Sequence, residues 1–161
     1  METEKAETAT PWLSDGEQCA WRTFLDVQRM LTYQMERDLQ PFGLTMNDYE
    51  ILVNLSEAPD RRLRMSDLAT ATLQSKSRLS HQITRMENAG LVRRENCESD
   101  RRGLYTVLTD AGMDTMRKVA PHHVESVRRH FIDQLSGEAL DGLHQSLKPV
   151  AEQLRGLRGK P

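Results

Sequence analysis

The sequence predicts a mainly α fold with one small β-hairpin. Three observations carry that expectation. Apolar residues recur at i, i+3 and i+4 along most of the 161 residues, as in helices with one buried face. Only residues 91–95 and 104–108 read as short strands. Helical stretches stop where Pro41-Phe42-Gly43, Ala58-Pro59 and Ala89-Gly90 interrupt them. The length suits one domain, or one domain with helical extensions.

Residues 1–11 are polar, acidic and end in Pro11, so they are expected to be disordered. A long first helix is expected from Trp12 or Asp15 to about Leu39. Trp21, Phe24, Leu25, Gln28, Leu31, Thr32, Met35 and Leu39 form its buried face. Thr45 stands three residues before Asp48, a capping-box-like start to a second helix that stops near Ala58. A short third helix follows the basic run Arg61-Arg62-Leu63-Arg64, with Ser66 as its candidate cap. A turn at Leu73-Gln74 leads to Ser75, the cap of a fourth helix over residues 76–88 that ends at Gly90. The apolar seam of this fourth helix is only Leu79, Ile83 and Met86, and the rest of its surface is polar or basic.

The two strand-like runs, with polar residues 96–103 between them, predict a hairpin with a long charged tip. Thr109 caps a fifth helix whose face carries Met113, Met116, Ala120, Val124, Val127 and Phe131, with a kink expected at Pro121. After Ser136-Gly137, the residues Leu140, Leu143, Leu147, Val150, Leu154 and Leu157 step by threes and fours. That is the seam of a helix packing along another helix. The terminal seams exceed what one small core needs, which predicts a homodimer.

Composition excludes several classes. The mean hydropathy is −0.65, and no run approaches the ~18–20 apolar residues of a bilayer helix. Residues 1–10 lack the apolar core of a secretory signal, so the cytoplasm is the expected compartment. Cys19 and Cys97 have no CxxC spacing, which argues against a zinc finger or a disulfide scaffold. No zincin, dinucleotide-binding, P-loop or nucleophile-elbow motif occurs, so neither catalysis nor a cofactor is expected.

A net charge of −2 looks unfavourable for a nucleic-acid partner, but its distribution is not. Residues 1–60 carry four Lys and Arg against twelve Asp and Glu. Residues 61–102 carry ten against five, and residues 103–161 eight against seven. The middle quarter is a basic module, and nine of its ten cations are arginines, which pair bidentately with phosphate and guanine edges.

The order helix, short helix, turn, polar helix, hairpin is that of a winged helix-turn-helix, here with N- and C-terminal dimerisation helices. A polar-faced helix fits a major groove about 12 Å wide. The short helix before it crosses the backbone and offers its N-terminus to phosphate. A basic hairpin tip reaches the adjacent minor groove, whose negative potential attracts arginine. Residues 12–44 and 110–161 are the expected dimerisation region, and residues 45–109 the DNA-binding lobe.

Several runs also resemble one known family: Leu63-Arg64-Met65-Ser66-Asp67-Leu68-Ala69, Ser75-Lys76-Ser77-Arg78-Leu79-Ser80, Arg85-Met86-Glu87, Gly90-Leu91-Val92-Arg93-Arg94, Asp100-Arg101-Arg102-Gly103 and Leu108-Thr109-Asp110-Ala111-Gly112. In order and in register from about Trp21 to Leu140, they are similar to the MarR family of bacterial transcriptional regulators. The resemblance implies an obligate dimer with two winged lobes. It implies a pseudo-palindromic duplex-DNA operator, usually repression, and often release by a small phenolic or lipophilic ligand.

On this reading Lys76, Ser77, Arg78, Ser80, His81 and Arg85 face the DNA from the fourth helix. His81 reads a purine N7 or a phosphate, and Arg85 touches the backbone. Arg102 enters the minor groove, Asp100 orients it, and Arg101 and Ser66 lie on phosphate. Capping alone also explains Ser66 and Ser75.

Other readings remain open. Some relatives in that family sense peroxide with a cysteine near the start of the first helix, where Cys19 stands. Its neighbours Asp15 and Glu17 supply no cation to stabilise a thiolate. Cys97 in the tip is expected to be an accessible but incidental thiol. His122, His123, Glu125 and His130 suggest a metal site, although His123 and His130 are too far apart on one helix to share an ion. Six of eight aromatics lie in residues 1–49, and Trp21, Tyr33 and Tyr49 are candidates for an effector pocket. None lies in residues 61–102, which argues against single-strand binding. A dimeric helical protein-interaction module with a basic face is the alternative without DNA.

Overall fold

The computed structural model describes residues 10–97 and 100–157, without the side chains of Asp100, Arg101 and Arg102. The disorder expected of residues 1–11 therefore falls outside the described residues, apart from Thr10 and Pro11, which belong to no element. Six helices and three strands follow: α1 Asp15–Leu39, α2 Met46–Glu57, β1 Arg62–Arg64, α3 Met65–Ala71, α4 Lys76–Asn88, β2 Val92–Cys97, β3 Asp100–Leu108, α5 Asp110–His130 and α6 Gly137–Leu157. The mainly α reading with a hairpin wing holds.

The helix boundaries follow local chemistry. Ser14 caps α1 and Thr45 caps α2, each in a reciprocal capping box, with Glu17 and Asp48 respectively. Ser75 caps α4 by accepting from the backbone N–H of Arg78. Gly90, just past the end of α4, has φ +74°, a left-handed conformation that glycine adopts without penalty. Ser66 does not cap α3. The helix begins one residue earlier, at Met65, and its cap position is Arg64 with no side-chain hydrogen bond. Ser66 lies inside the first turn, donating to Asp67.

The sheet has an extra member. Arg62–Arg64, which reads from sequence only as a basic run, is strand β1, antiparallel to β3 in the order β1-β3-β2. Arg and Leu alternate in it, so a three-residue edge strand needs little apolar signal. The hairpin tip is also shorter than expected. Asp100 pairs with Cys97, so Asp100, Arg101 and Arg102 lie in β3 rather than in a long loop. The ladder is made by backbone groups whatever the side chain, and charge alone therefore misreads a strand as a tip. Cys97 is 6% exposed, so it is not an accessible thiol. It accepts a hydrogen bond from Arg64 Nη2 at 3.4 Å.

The core sits inside the lobe. Ile51, Leu52 and Leu55 of α2, Leu68 of α3, Leu79, Ile83 and Met86 of α4, and Val92 and Leu108 of the sheet are all buried. The helix α5 closes this core through Met113 and Val119, while Val124, expected on that face, is 55% exposed. The buried positions 112, 119 and 126 follow a step of seven, with Met113 beside the first, and the step picks up Ser126, a polar residue invisible to apolar counting. The helix runs through Pro121 unbroken.

The helix α5 starts flush against the wing. Thr109 Oγ1 donates toward the carbonyls of Gly90 and Leu91 and accepts from Gly112 N–H. A Cβ on Gly112 would lie 2.0 Å from the Leu91 carbonyl oxygen. This contact gives a physical reason for glycine in the Leu-Thr-x-x-Gly run.

Candidate nucleic-acid interface

The site is built on α3, the turn after it, α4 and the wing. Leu73, in the four residues between α3 and α4, takes φ +56°, a left-handed turn conformation. The seam of α4 is as thin as its sequence implies, with Leu79 and Ile83 fully buried and Met86 nearly so. Lys76, Ser77, Arg78, Ser80, His81, Thr84 and Arg85 are exposed along the helix. Ser66 and Lys76 line one open notch of about 510 Å³ with Ala69, Thr70, Leu73, Gln74 and Ser75. Ser66 and the α4 N-terminal residues Ser75 and Lys76 thus border the same notch. Lys76 and Arg78 make no ion pair among the described residues. The side chains of Asp100, Arg101 and Arg102 lie outside the described residues, so their wing roles rest on the backbone position in β3.

Two polar clamps hold α4 on either side of its seam, and sequence patterning did not reveal them. On one flank, Asp48 of α2 is fully buried. Its Oδ1 accepts from Gln82 Nε2 at 3.0 Å and from Arg85 Nη2 at 2.5 Å. Its Oδ2 accepts from Thr45 N–H and Oγ1 at 2.9 and 2.7 Å. Burial alone would push the Asp48 carboxyl up. Arg85, the Thr45 backbone, Gln82 and the Thr45 hydroxyl together outweigh it and hold the pKa below the ordinary carboxylate value.

On the other flank, Arg94 of β2 pairs with Glu87 at 2.6 Å and donates to the Ser80 carbonyl at 2.8 Å and Thr84 Oγ1 at 2.9 Å. Arg85, expected to touch the DNA backbone, also reaches Asp48 through Nη2, and its side chain stays 54% exposed. The only sequence trace of this was a carboxylate at a cap position whose helix face proves to be buried.

Other arginines of the basic module are also engaged. Arg61 pairs with Asp110 at 3.1 Å, and Arg93 pairs with Glu95. Arg62 and Arg64 stack over the Tyr105 ring, 5.0 and 5.7 Å from its centroid. The raw charge of the module therefore overstates what is available to a polyanion.

A family model described as the MarR family matches residues 42–103 of this chain. The chain is 33% identical over 95 residues to the transcriptional regulator HosA of Escherichia coli O111:H-, covering 59% of this chain and 68% of that protein. It is 76% identical to AbsC, a MarR family transcriptional regulator from Streptomyces coelicolor of solved structure. That match has a TM-score of 0.87 and covers 91% of this chain and 99% of AbsC. The chain belongs to the MarR family. A second MarR family regulator from Streptomyces coelicolor, Sco3205, was solved in complex with DNA. It is 42% identical, with a TM-score of 0.85, covering 89% of this chain and 91% of that one. This is a family of transcriptional regulators, not enzymes.

Within this MarR chain the candidate effector residues do not meet. Trp21 stacks on Phe24 at 6.0 Å on the open face of α1. Tyr33 lies under Arg37 and lines a shallow cleft with Val27, Met30, Leu31, Gln34 and His130. Tyr49 is buried in the lobe with its ring 4.4 Å from His123. Aromatics at helical spacing on two helices share a sequence region without sharing a cavity.

The histidines of α5 part in the same way. His122 packs on the Phe42 ring at 4.9 Å, His123 packs on Tyr49, and His130 Nε2 lies 3.3 Å from Asp38 Oδ2. Burial lowers the His123 pKa. Among the described residues no three His, Cys, Asp or Glu are grouped to hold a metal ion. Cys19 is exposed on α1.

A cleft of about 380 Å³ opens where α1 meets α5, lined by Arg37, Asp38, Pro41, Phe42, His122, Glu125, Ser126 and Arg129. No helix among the described residues is long and apolar enough to cross a membrane.

Proposed function

We propose that this chain is a homodimeric, sequence-specific duplex-DNA-binding repressor acting on a pseudo-palindromic operator in the cytoplasm. The observation that carries this reading is α4. It has a three-residue buried seam, clamps on both flanks, and an outward face of Lys76, Ser77, Arg78, Ser80 and His81 of major-groove size. Ser66 at the notch and Arg101 on β3 would meet phosphate. Arg102 would enter the minor groove with Asp100 beside it. Relatives include proteins named as repressors, YetL of Bacillus subtilis and MprA of Escherichia coli, at 24% identity.

The dimer reading is supported by the apolar residues that one copy leaves uncovered, such as Trp21 and Met30 on α1 and Val150 and Leu154 on α6. Release by a small phenolic or lipophilic ligand is supported by the cleft between α1 and α5. There the Phe42–His122 ring pair supplies an apolar floor, with Arg37 and Arg129 at the lining. Trp21, Tyr33 and Tyr49 do not form that site.

Selection from random duplexes tests the whole reading, and the expected product is a two-fold site. Arg102→Ala should weaken binding to that site at least tenfold and leave the dimer folded; an unchanged dissociation constant at moderate salt would remove the wing role. With several phosphates neutralised per lobe, log K should fall steeply with log salt, and a flat dependence is incompatible with the reading. Light scattering that finds a stable monomer at micromolar concentration would overturn the dimer.

A further inference from the structure

Arg85 sits on the DNA-facing helix with its side chain 54% exposed, yet its Nη2 reaches back to a carboxylate inside the lobe. Its partner Asp48 is fully buried and belongs to a different helix, α2. The same Asp48 oxygen also receives Gln82, one turn before Arg85 on α4. Two contacts from one carboxylate oxygen to positions three apart on a helix resist rotation of that helix about its own axis. Rotation is the freedom that the thin seam of Leu79, Ile83 and Met86 leaves least restrained. The outer oxygen of Asp48 is itself held by Thr45 N–H and Oγ1. The carboxylate therefore has no slack to follow α4 if the helix turns.

We propose that Asp48, acting through Arg85 and Gln82, is a specificity-determining positioning residue that sets the roll of α4 in the groove. Arg85 on this assignment is part of the clamp and not a phosphate contact. Ser77, Arg78 and His81 then reach base edges only at the roll angle that the clamp defines. A turn of the helix by one position (100°) would replace one set of side chains by another. The ion pair also neutralises a cation that would otherwise strengthen binding to any sequence, since phosphate contacts carry affinity without specificity.

This inference rests on the reading of α4 as a DNA-recognition helix. Two quantities separate the outcomes: the ratio of selected-site to random-duplex affinity, and the slope of log K against log salt. Arg85→Met keeps the stem and removes the charge. It is expected to lower the affinity ratio at least tenfold with the salt slope unchanged. Asp48→Asn is expected to lower the ratio similarly, by raising random-duplex binding as Arg85 is released, with a slope equal or steeper.

Arg85→Met leaves Asp48 as a buried unpaired charge and can fail to fold. The double variant Asp48→Asn with Arg85→Met removes both charges and keeps the test open. Its ratio should fall tenfold while its melting transition stays cooperative. If Arg85→Met instead weakens all duplexes equally and flattens the slope by about 0.9, the loss of one phosphate contact, Arg85 is a backbone ligand and the assignment is wrong. A double variant that keeps the wild-type ratio is equally fatal. A wild-type protein that selects no duplex sequence overturns the parent reading and this one with it; the other failures, with wild-type selection intact, overturn this one alone.

Discussion

The lobe and the terminal helices of this chain use the same residue types and reach opposite states. In the lobe, Ile51, Leu52, Leu55, Leu68, Leu79 and Ile83 are wholly buried by a single copy. In α1 only Leu39 is buried, and in α6 no residue is. Trp21, Phe24, Met30 and Tyr33 of α1, and Leu147, Val150, Leu154 and Leu157 of α6, stay exposed. An apolar groove of about 520 Å³ lies among Phe24, Val27, Leu31, Phe131, Leu143 and Leu147. The lobe is a finished unit that positions the reading helix. The terminal helices leave their apolar faces open, and on the proposed reading a second copy of the same seam covers them. Apolar patterning therefore says which residues leave water, but not whether they do so within one chain.

Matched truncations can break this contrast. Ile83→Ala should cost about 2–5 kcal/mol in denaturant unfolding, because a rigid core collapses only partly around the lost atoms. That cost should be seen even in dilute protein. Leu154→Ala should cost nearly nothing in a monomer, yet lower the midpoint in a way that grows with dilution. Equal, concentration-independent effects at both positions would erase the distinction between the regions.

Gly112→Ala sharpens the contrast from inside the lobe. The new methyl must displace the Leu91 carbonyl or tilt α5 away from the wing, a cost of about 1–3 kcal/mol. A melting temperature unchanged from wild type would mean that this junction is looser than the contact implies.

Acid offers a third probe. Asp48 and His123 both have depressed pKa values in the folded chain, Asp48 through its hydrogen bonds and His123 through burial. A group depressed on folding contributes stability above its unfolded value and loses it as pH falls toward the folded one. Stability should therefore decline as pH drops below ~6.5, through His123, and again below ~4, through Asp48. Asp38 adds to the second step, being lowered by the hydrogen bond from Ser126 against opposing desolvation, with Gln34 and His130 assisting. Asp48→Asn should flatten that lower step in pH-dependent melts; a curve that overlays wild type would place the acid-sensitive group elsewhere.

The smallest expected effect is at the open face. Cys19→Ser should leave operator affinity within twofold, before and after peroxide. Peroxide sensitivity that disappears in this variant would make the exposed α1 thiol a sensor instead.

Much of the site was legible before any coordinates. The four-residue logic of caps located α4 to the residue, because Ser75 and Gly90 act within one turn of chain. The seam Leu79, Ile83, Met86 was legible for the same local reason. What failed was non-local. Ser66 as a cap and Cys97 as an accessible thiol were each read from neighbours in sequence, and so was an Arg85 without its Asp48 partner. Each was decided instead by neighbours in space: the early start of α3, the closing of β2 on β3, and Asp48 reaching across from α2.

The sequence by itself determined the order of the helices and the hairpin, the basic module and the seam of α4, because periodicity and capping are short-range physics. Only the tertiary structure decided which cations remain available and which apolar faces remain uncovered. A charge pair or a buried face depends on what another part of the chain brings within about 4 Å, and spacing along the sequence does not encode that distance.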